Sequence, residues 1–349
     1  MSLLRGKIRR RDALAALSAV PLLACTTHVR EPKPQPRVPT RPIAGPVSVW
    51  SFFDLPDDPR SKELSGISWD APTKTLWAVQ DDAPRIVALL PDDELKRWSF
   101  GESVNVAVSG PLDLEGLVVI PEGFIVCSED GPRIVEIDRE GTLRAEIHVP
   151  ARFRDARTNK SLESLTMSPS GRYLYTTSEA ALERDGAMAT QAAGTRVRIV
   201  RLERNKGEVS EHAYTTDPAL KDGGDYGVAD MCALSDDELL VLERGWLKGQ
   251  GNTARIYRVT LEDSASCLGM PTLTTNGTSL KKTLVADLGT LSAHGIPASK
   301  QPQPNPILDN YEGLTVGPKL EDGRPTLIVV SDDNGRSDQV ARILVLAFG

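Results

Sequence analysis

Short runs of apolar and β-branched residues, separated by turn residues, recur along most of this chain. The clearest unit is Asp113–Asp130, DLEGLVVIPEGFIVCSED. Leu117–Ile120 is apolar, Pro121-Glu122-Gly123 supplies a turn, and Phe124–Cys127 is apolar again, a pattern that predicts a β-hairpin. Glu115 precedes the first strand, and Glu129 and Asp130 follow the second, so the hairpin gathers acids on one face.

The unit recurs. Leu64–Ser68 precedes Leu76–Asp82, Leu162–Thr166 precedes Tyr173–Glu179, Val228–Cys232 precedes Leu239–Glu243, and Tyr311–Thr315 precedes Leu327–Asp333. A third strand follows each time and opens on arginine: Arg85, Arg133, Arg198, Arg255 and Arg342. A fourth apolar stretch completes most units. Five repeats of about four strands predict an all-β fold, a β-propeller whose blades bury their faces on one another. The last unit ends at Gly349 with three strands, so the orphan strand Val47–Phe53 is expected to supply the fourth and close the ring. Glu262–Leu280, Gly289–Asn310 and Gly186–Gly194 read as surface loops. The stretch between Glu262 and Asp309 leaves room for a degenerate sixth blade.

Ahead of the repeats lies an address. Lys7 and Arg9-Arg10-Arg11 precede the short apolar core Ala13–Ala24, as in an export signal. Arg10-Arg11-Asp12-Ala13-Leu14 resembles a twin-arginine signal. Leu22-Leu23-Ala24-Cys25 resembles the processing box of bacterial lipoproteins, in which Cys25 is lipidated; the alternative is a plain secretory signal cleaved nearby. Residues 1–25 are thus read as signal and 26–46, with six prolines, as a spacer. Residues 47–349 form the propeller domain. The expected location is the periplasmic face of the cell envelope, with membrane contact only through the lipidated end.

Charge sharpens the picture. Met1–Cys25 holds five basic residues and one acid, so its net +4 leaves −11 for the rest of a chain whose total is −7. An acidic body argues against nucleic acid as a partner and fits a protein that binds cations; a monomer is expected. Cys127, Cys232 and Cys267 remain after the signal; an odd count without CxxC spacing reads as buried free thiols.

In a propeller, the entry to the innermost strand and the loop after the second strand open on the same face. Glu115, Glu163 and Glu312 occupy the first place; Asp81, Glu129, Glu179, Glu243 and Asp332 occupy the second. Carboxylates crowded in a central depression repel one another, and protonation, arginine or a cation must offset the repulsion. Calcium suits flexible arrays of oxygen ligands. A cation there would polarise a phosphoester and activate water, with Glu115, Glu163 and Glu312 as catalytic acids. Arginines at the third strands, Arg133 and Arg255 among them, lie near that face and suit substrate oxygens. The competing reading gives these arginines to ion pairs between blades and the acids to capping. No GxSxG, HExxH, P-loop or dinucleotide fingerprint is present.

The segments DLEGLVV, GFIVCSEDGP, NKSLESLTMSPSGRYLYTTSEAAL, VADMCALSDDELLVLERG and NYEGLTVGP with LIVVSDDN resemble the bacterial phytase-like domain family, also described as esterase-like activity of phytase. The likeness spans Glu63 to the C-terminus. It implies a propeller and phosphoester or carboxylic ester hydrolysis of a small molecule. By position, the family's acids fall on Glu115, Glu129, Glu163, Glu179, Glu243, Glu312, Asp332 and Asp333. Asp81, Glu129, Glu179, Asp332 and Asp333 are the expected calcium ligands. Ser65 and Ala229 depart from the pattern, which favours the alternative of a non-catalytic binding propeller.

Overall fold

The structure, a computed structural model, describes residues 43–349 apart from 82, 205, 263 and 274–276; the signal, Cys25 and most of the spacer lie outside the described residues. It contains five four-stranded antiparallel sheets, three short 3-10 turns and no α-helix among the described residues. After β1 (Val47–Asp54), blade one holds β2 (Leu64–Asp70), β3 (Thr75–Gln80), β4 (Arg85–Pro91) and β5 (Trp98–Asn105). Blade two holds β6 (Leu114–Ile120), β7 (Gly123–Ser128), β8 (Arg133–Asp138) and β9 (Leu143–Ile147). Blade three holds β10 (Leu162–Met167), β11 (Tyr173–Ser178), β12 (Arg196–Glu203) and β13 (Gly207–Thr215). Blade four holds β14 (Asp225–Ala233), β15 (Glu238–Leu247), β16 (Gly251–Thr260) and β17 (Lys282–Asp287). Blade five holds β18 (Asn310–Val316), β19 (Thr326–Asp332) and β20 (Arg342–Phe348), and β1 is its outer strand.

The ring has five blades, not six. The described residues between Glu262 and Asp309 supply the outer strand β17 and otherwise form turns and loop, and the Cys267 and Leu280 amides bond to the Glu211 and Ala213 carbonyls of β13. Cys127, Cys232 and Cys267 are buried free thiols.

The second strands are continuous apolar runs because both of their faces are covered. Every residue of β3, β7 and β19 is buried, as expected for strands sandwiched between neighbouring sheets. Five hydrophobic clusters, one at each junction between blades, hold the ring. The innermost strands β2, β6, β10, β14 and β18 touch in chain order, and β18 meets β2. Their approach is close: a Cβ on Gly66 would lie 2.2 Å from the Glu115 carbonyl oxygen, and one on Gly116 2.4 Å from the Leu165 nitrogen.

Closure comes from β1, which pairs with β20 from Val47–Phe348 to Asp54–Arg342. The fully buried Arg342 reinforces it by donating to Asp54 at 2.5 and 3.0 Å and to the Pro297 and Pro306 carbonyls at 2.7 and 2.9 Å. An ion pair removed from water holds only when its hydrogen bonds are complete, and here four are made.

Candidate functional site

Each innermost strand carries a β-bulge near its start. The pairing register slips between Leu64 and Ile67, Leu114 and Gly116, Leu162 and Ser164, Val228 and Asp230, and Tyr311 and Gly313. The residues skipped are Ser65-Gly66, Glu115, Glu163, Ala229 and Glu312. An extra residue in a strand re-aims its side chain. Three of the five bulges therefore turn a glutamate toward the axis.

These glutamates line a cavity of about 460 Å³ at the end of the ring where the innermost strands begin. Blade one contributes Ser65 and Asp81, and blade two Asp113, Glu115 and Glu129. Lys160, Glu163 and Glu179 come from blade three, and Asp225, Arg244 and Trp246 from blade four. Asn310, Glu312 and Asp332 complete the wall from blade five. Glu115, Glu163, Glu312, Asp81, Glu129, Glu179 and Asp332 thus meet in one space, as the hairpin geometry requires.

Four expected residues lie elsewhere, Asp333, Arg133, Arg255 and Glu243. Asp333 accepts from Lys62 Nζ at 2.9 Å and from the Glu63 amide at 3.1 Å, outside the cavity lining. Arg133 donates to the Ser109 carbonyl at 2.8 Å and to Glu146 at 2.6 Å. Arg255 is held by Asp287 at 2.9 Å and Asp217 at 3.0 Å. Glu243 is fully buried away from the axis and accepts from Tyr226, Lys282 and the Asp217 amide.

The cavity's cations are residues that the repeat pattern did not single out. Lys160 donates to Glu179 at 2.7 and 2.8 Å and to Asp225 at 2.9 Å. Arg244 donates to Asn310 Oδ1 at 2.8 Å and stands 3.2 Å from Glu312 and 3.5 Å from Glu179. Blade four, whose bulge carries Ala229, therefore fills its sector with a guanidinium that bridges carboxylates of blades three and five. Lys160 and Arg244 are single-copy features, so no periodicity announces them. Asp113 was legible only as the first residue of its repeat.

Nine carboxylates against three basic side chains, the third being Arg336, leave the lining strongly acidic. Burial pushes Glu115 and Glu163 well above the usual carboxylate range, and neighbouring acids push further: Asp113 and Glu312 on the first, Glu179 and Glu115 on the second. Asp332 rises likewise through burial and the nearness of Glu312. Burial raises Glu129 to about 7, opposed by the Ser161 amide that donates to it at 2.5 Å. Glu312 rises to about 7 through burial, with Arg244 pulling the other way. Asp113, Glu115 and Glu129 each offer an oxygen within 4.8 Å of the others. Such a three-carboxylate cluster fits a hard divalent cation, which takes oxygen ligands at about 2.3–2.6 Å.

A propeller with an acidic cavity on its axis is the class these features define. Residues 59–335 match the sequence model of the phytase-like family, described as esterase-like activity of phytase, and the chain belongs to that family. No curated protein sequence matches it. Among solved structures it is similar to a protein from Lactobacillus plantarum, at 14% identity over 77% of this chain and 64% of that chain, with a TM-score of 0.37. It is similar to the tail fibre of Staphylococcus aureus phage P68, at 12% identity over 87% and 52%, TM-score 0.45. It is also similar to regucalcin, a calcium-binding protein from Agrobacterium tumefaciens, at 13% identity over 86% and 97%, TM-score 0.40. The chain spans less than two thirds of the first two structures. Likenesses of this strength carry nothing about its chemistry.

Proposed function

We propose that this protein is a cation-assisted hydrolase of phosphoesters, with carboxylic esters as the alternative substrate, exported to the cell envelope. The observation that carries the reading is the crowding of nine carboxylates around one axial cavity with three basic side chains to balance them. Burying that much like charge is costly, and bound calcium would relieve it.

Asp113, Glu115 and Glu129 are the residues suited to hold the ion. Calcium, when bound, supplies Lewis acidity toward a phosphoryl oxygen. Glu163 and Glu312 supply proton handling. Both hold protons more tightly than ordinary carboxylates, and Glu312, at about 7, exchanges its proton near neutral pH, where general acid–base catalysis is most effective. Its Oε1 is engaged by Asn310 and Arg244, which leaves Oε2 as the oxygen suited to exchange a proton. Asn310 and Arg244 fix the carboxyl group's orientation.

The expected anchoring is through a lipidated Cys25 and its proline-rich spacer, which would hold the domain at the periplasmic face of the envelope.

The test is hydrolysis of p-nitrophenyl phosphate and p-nitrophenyl acetate by the purified domain, with added calcium and with EDTA. Calcium-dependent release of nitrophenol that Glu115→Gln abolishes supports the reading. A folded protein inert on both compounds with calcium present would instead favour the non-catalytic binding propeller.

A further inference from the structure

One wall of the cavity is built differently from the rest. The second strands β3, β7, β11 and β19 are six or seven residues long, but β15 and its partner β16 run to ten each. The surplus length raises the β15–β16 hairpin beyond the ring at the cavity end. It is braced from outside. The Asn252 amide donates to Gln303 Oε1 at 2.7 Å, and Gln303 Nε2 returns to Asn252 Oδ1 at 2.8 Å. Gly251 has φ +89°, and a Cβ there would lie 2.2 Å from the Pro302 carbonyl oxygen, so the loop sits hard against the hairpin.

The raised strand carries Trp246 into the cavity lining. Of the five tryptophans, Trp50, Trp69, Trp77 and Trp98 belong to the interblade clusters, whereas Trp246 belongs to none of them. A large aromatic side chain that lines a cavity without joining the core has its ring free for a ligand. Arg244 lies two positions earlier on the same strand face, roughly 7 Å deeper. Its guanidinium, with Lys160 beyond it on blade three, is the cationic part of an otherwise acidic wall.

We propose that Trp246 and Arg244 form a two-part seat that selects a phosphate monoester carried on a flat ring, the ring stacking on the indole and the phosphate reaching the guanidinium. This names the substrate class within the phosphoester reading of the same cavity. Trp246 is the specificity-determining residue, and Arg244, whose Nη1 and Nη2 face Asn310, Glu312 and Glu179 while its Nε has no partner, attracts the anionic end by its charge and that N–H.

The experiment is calorimetric titration of the calcium-loaded domain with phenyl phosphate and with methyl phosphate. The wild-type protein should bind phenyl phosphate at least tenfold more tightly. Trp246→Ala should erase that ratio while changing methyl phosphate affinity less than twofold, and Arg244→Gln should weaken both ligands at least tenfold. Arg244→Lys keeps the charge for Glu312 and Glu179 and decides the matter should the Gln variant not fold; it should weaken both several-fold. Equal affinities in the wild type, a ratio that survives Trp246→Ala, or Arg244 variants that bind like the wild type would overturn the proposal. Binding is read without turnover, so the outcomes separate. A Trp246-dependent ratio without hydrolysis would sink only the enzymatic reading, and hydrolysis without the ratio would sink only the seat.

Discussion

Ser65 Oγ donates to Glu115 Oε2 at 2.6 Å across the junction of blades one and two. Blade one therefore places a hydroxyl at the bulge where blades two, three and five place a carboxylate, and that hydroxyl supports the ionised form of its neighbour against burial. A hydrogen bond to a charged group contributes roughly 1.5–3 kcal/mol. Ser65→Ala should therefore raise the proton affinity of Glu115 further and weaken calcium binding at pH 7 about tenfold. Calcium titration of the two proteins at matched pH checks this.

Activity and stability should part company at the axial glutamates. Glu115→Gln and Glu163→Gln keep the shape of the side chain and remove its charge. Ester hydrolysis should fall about 100-fold or more if these groups hold the cation or move protons. Melting temperature of the calcium-free variants at pH 8 should stay level or rise, because a buried like charge has gone. Loss of activity accompanied by a lower melting temperature would reduce the glutamates to structural parts.

The calcium-free domain should lose stability as pH rises. Glu129 and Glu312 titrate near 7 in the fold, against 4.5 when unfolded. Below pH 4.5 both states hold the protons. Between pH 4.5 and about 7 the unfolded chain releases them first, so the fold is disfavoured across that window. Glu115, Glu163 and Asp332 shift in the same direction. Carboxylates held low, such as Asp58 at about 2, act only at the acid end. Melting temperature without calcium should drop by roughly 5 °C or more from pH 5 to pH 8, and saturating calcium should cancel most of the drop.

The repeated arginines belong to a different experiment. Arg342 closes the ring through Asp54, whose carboxylate is partly exposed, so losing these charged hydrogen bonds costs about 1.5–3 kcal/mol. Arg342→Met should lower the midpoint of urea unfolding accordingly and leave calcium affinity of the folded protein unchanged.

The five repeats and the meeting of acids were legible because each is written repeatedly, and ring closure by Val47–Phe53 because the last repeat lacks its fourth strand. In blades two, three and five a bulged glutamate at the start of one strand and an acid after the next mark the same end of the hairpin. Single-copy features escape such a reading. Lys160 sits in a loop before β10, and Arg244 is one charge within an apolar strand, yet these two cations pair with Glu179, Asp225 and Glu312 in the cavity wall. Repetition also misdirects: Arg133, Arg198, Arg255 and Arg342 each pair with a carboxylate of their own blade, Glu146, Asp185, Asp287 and Asp54, and none of them lines the cavity. The room for a sixth blade came from loop length alone; β17 belongs to blade four, and Cys267 and Leu280 bond to the outer strand of blade three.

Anomalous diffraction from crystals of the domain grown with calcium tests the centre of the account most directly. A calcium peak bounded by the carboxylates of Asp113, Glu115 and Glu129, absent from Glu115→Gln crystals, is the predicted result. An axial cavity without anomalous signal at millimolar calcium, in a protein whose melting temperature calcium leaves untouched, would contradict it.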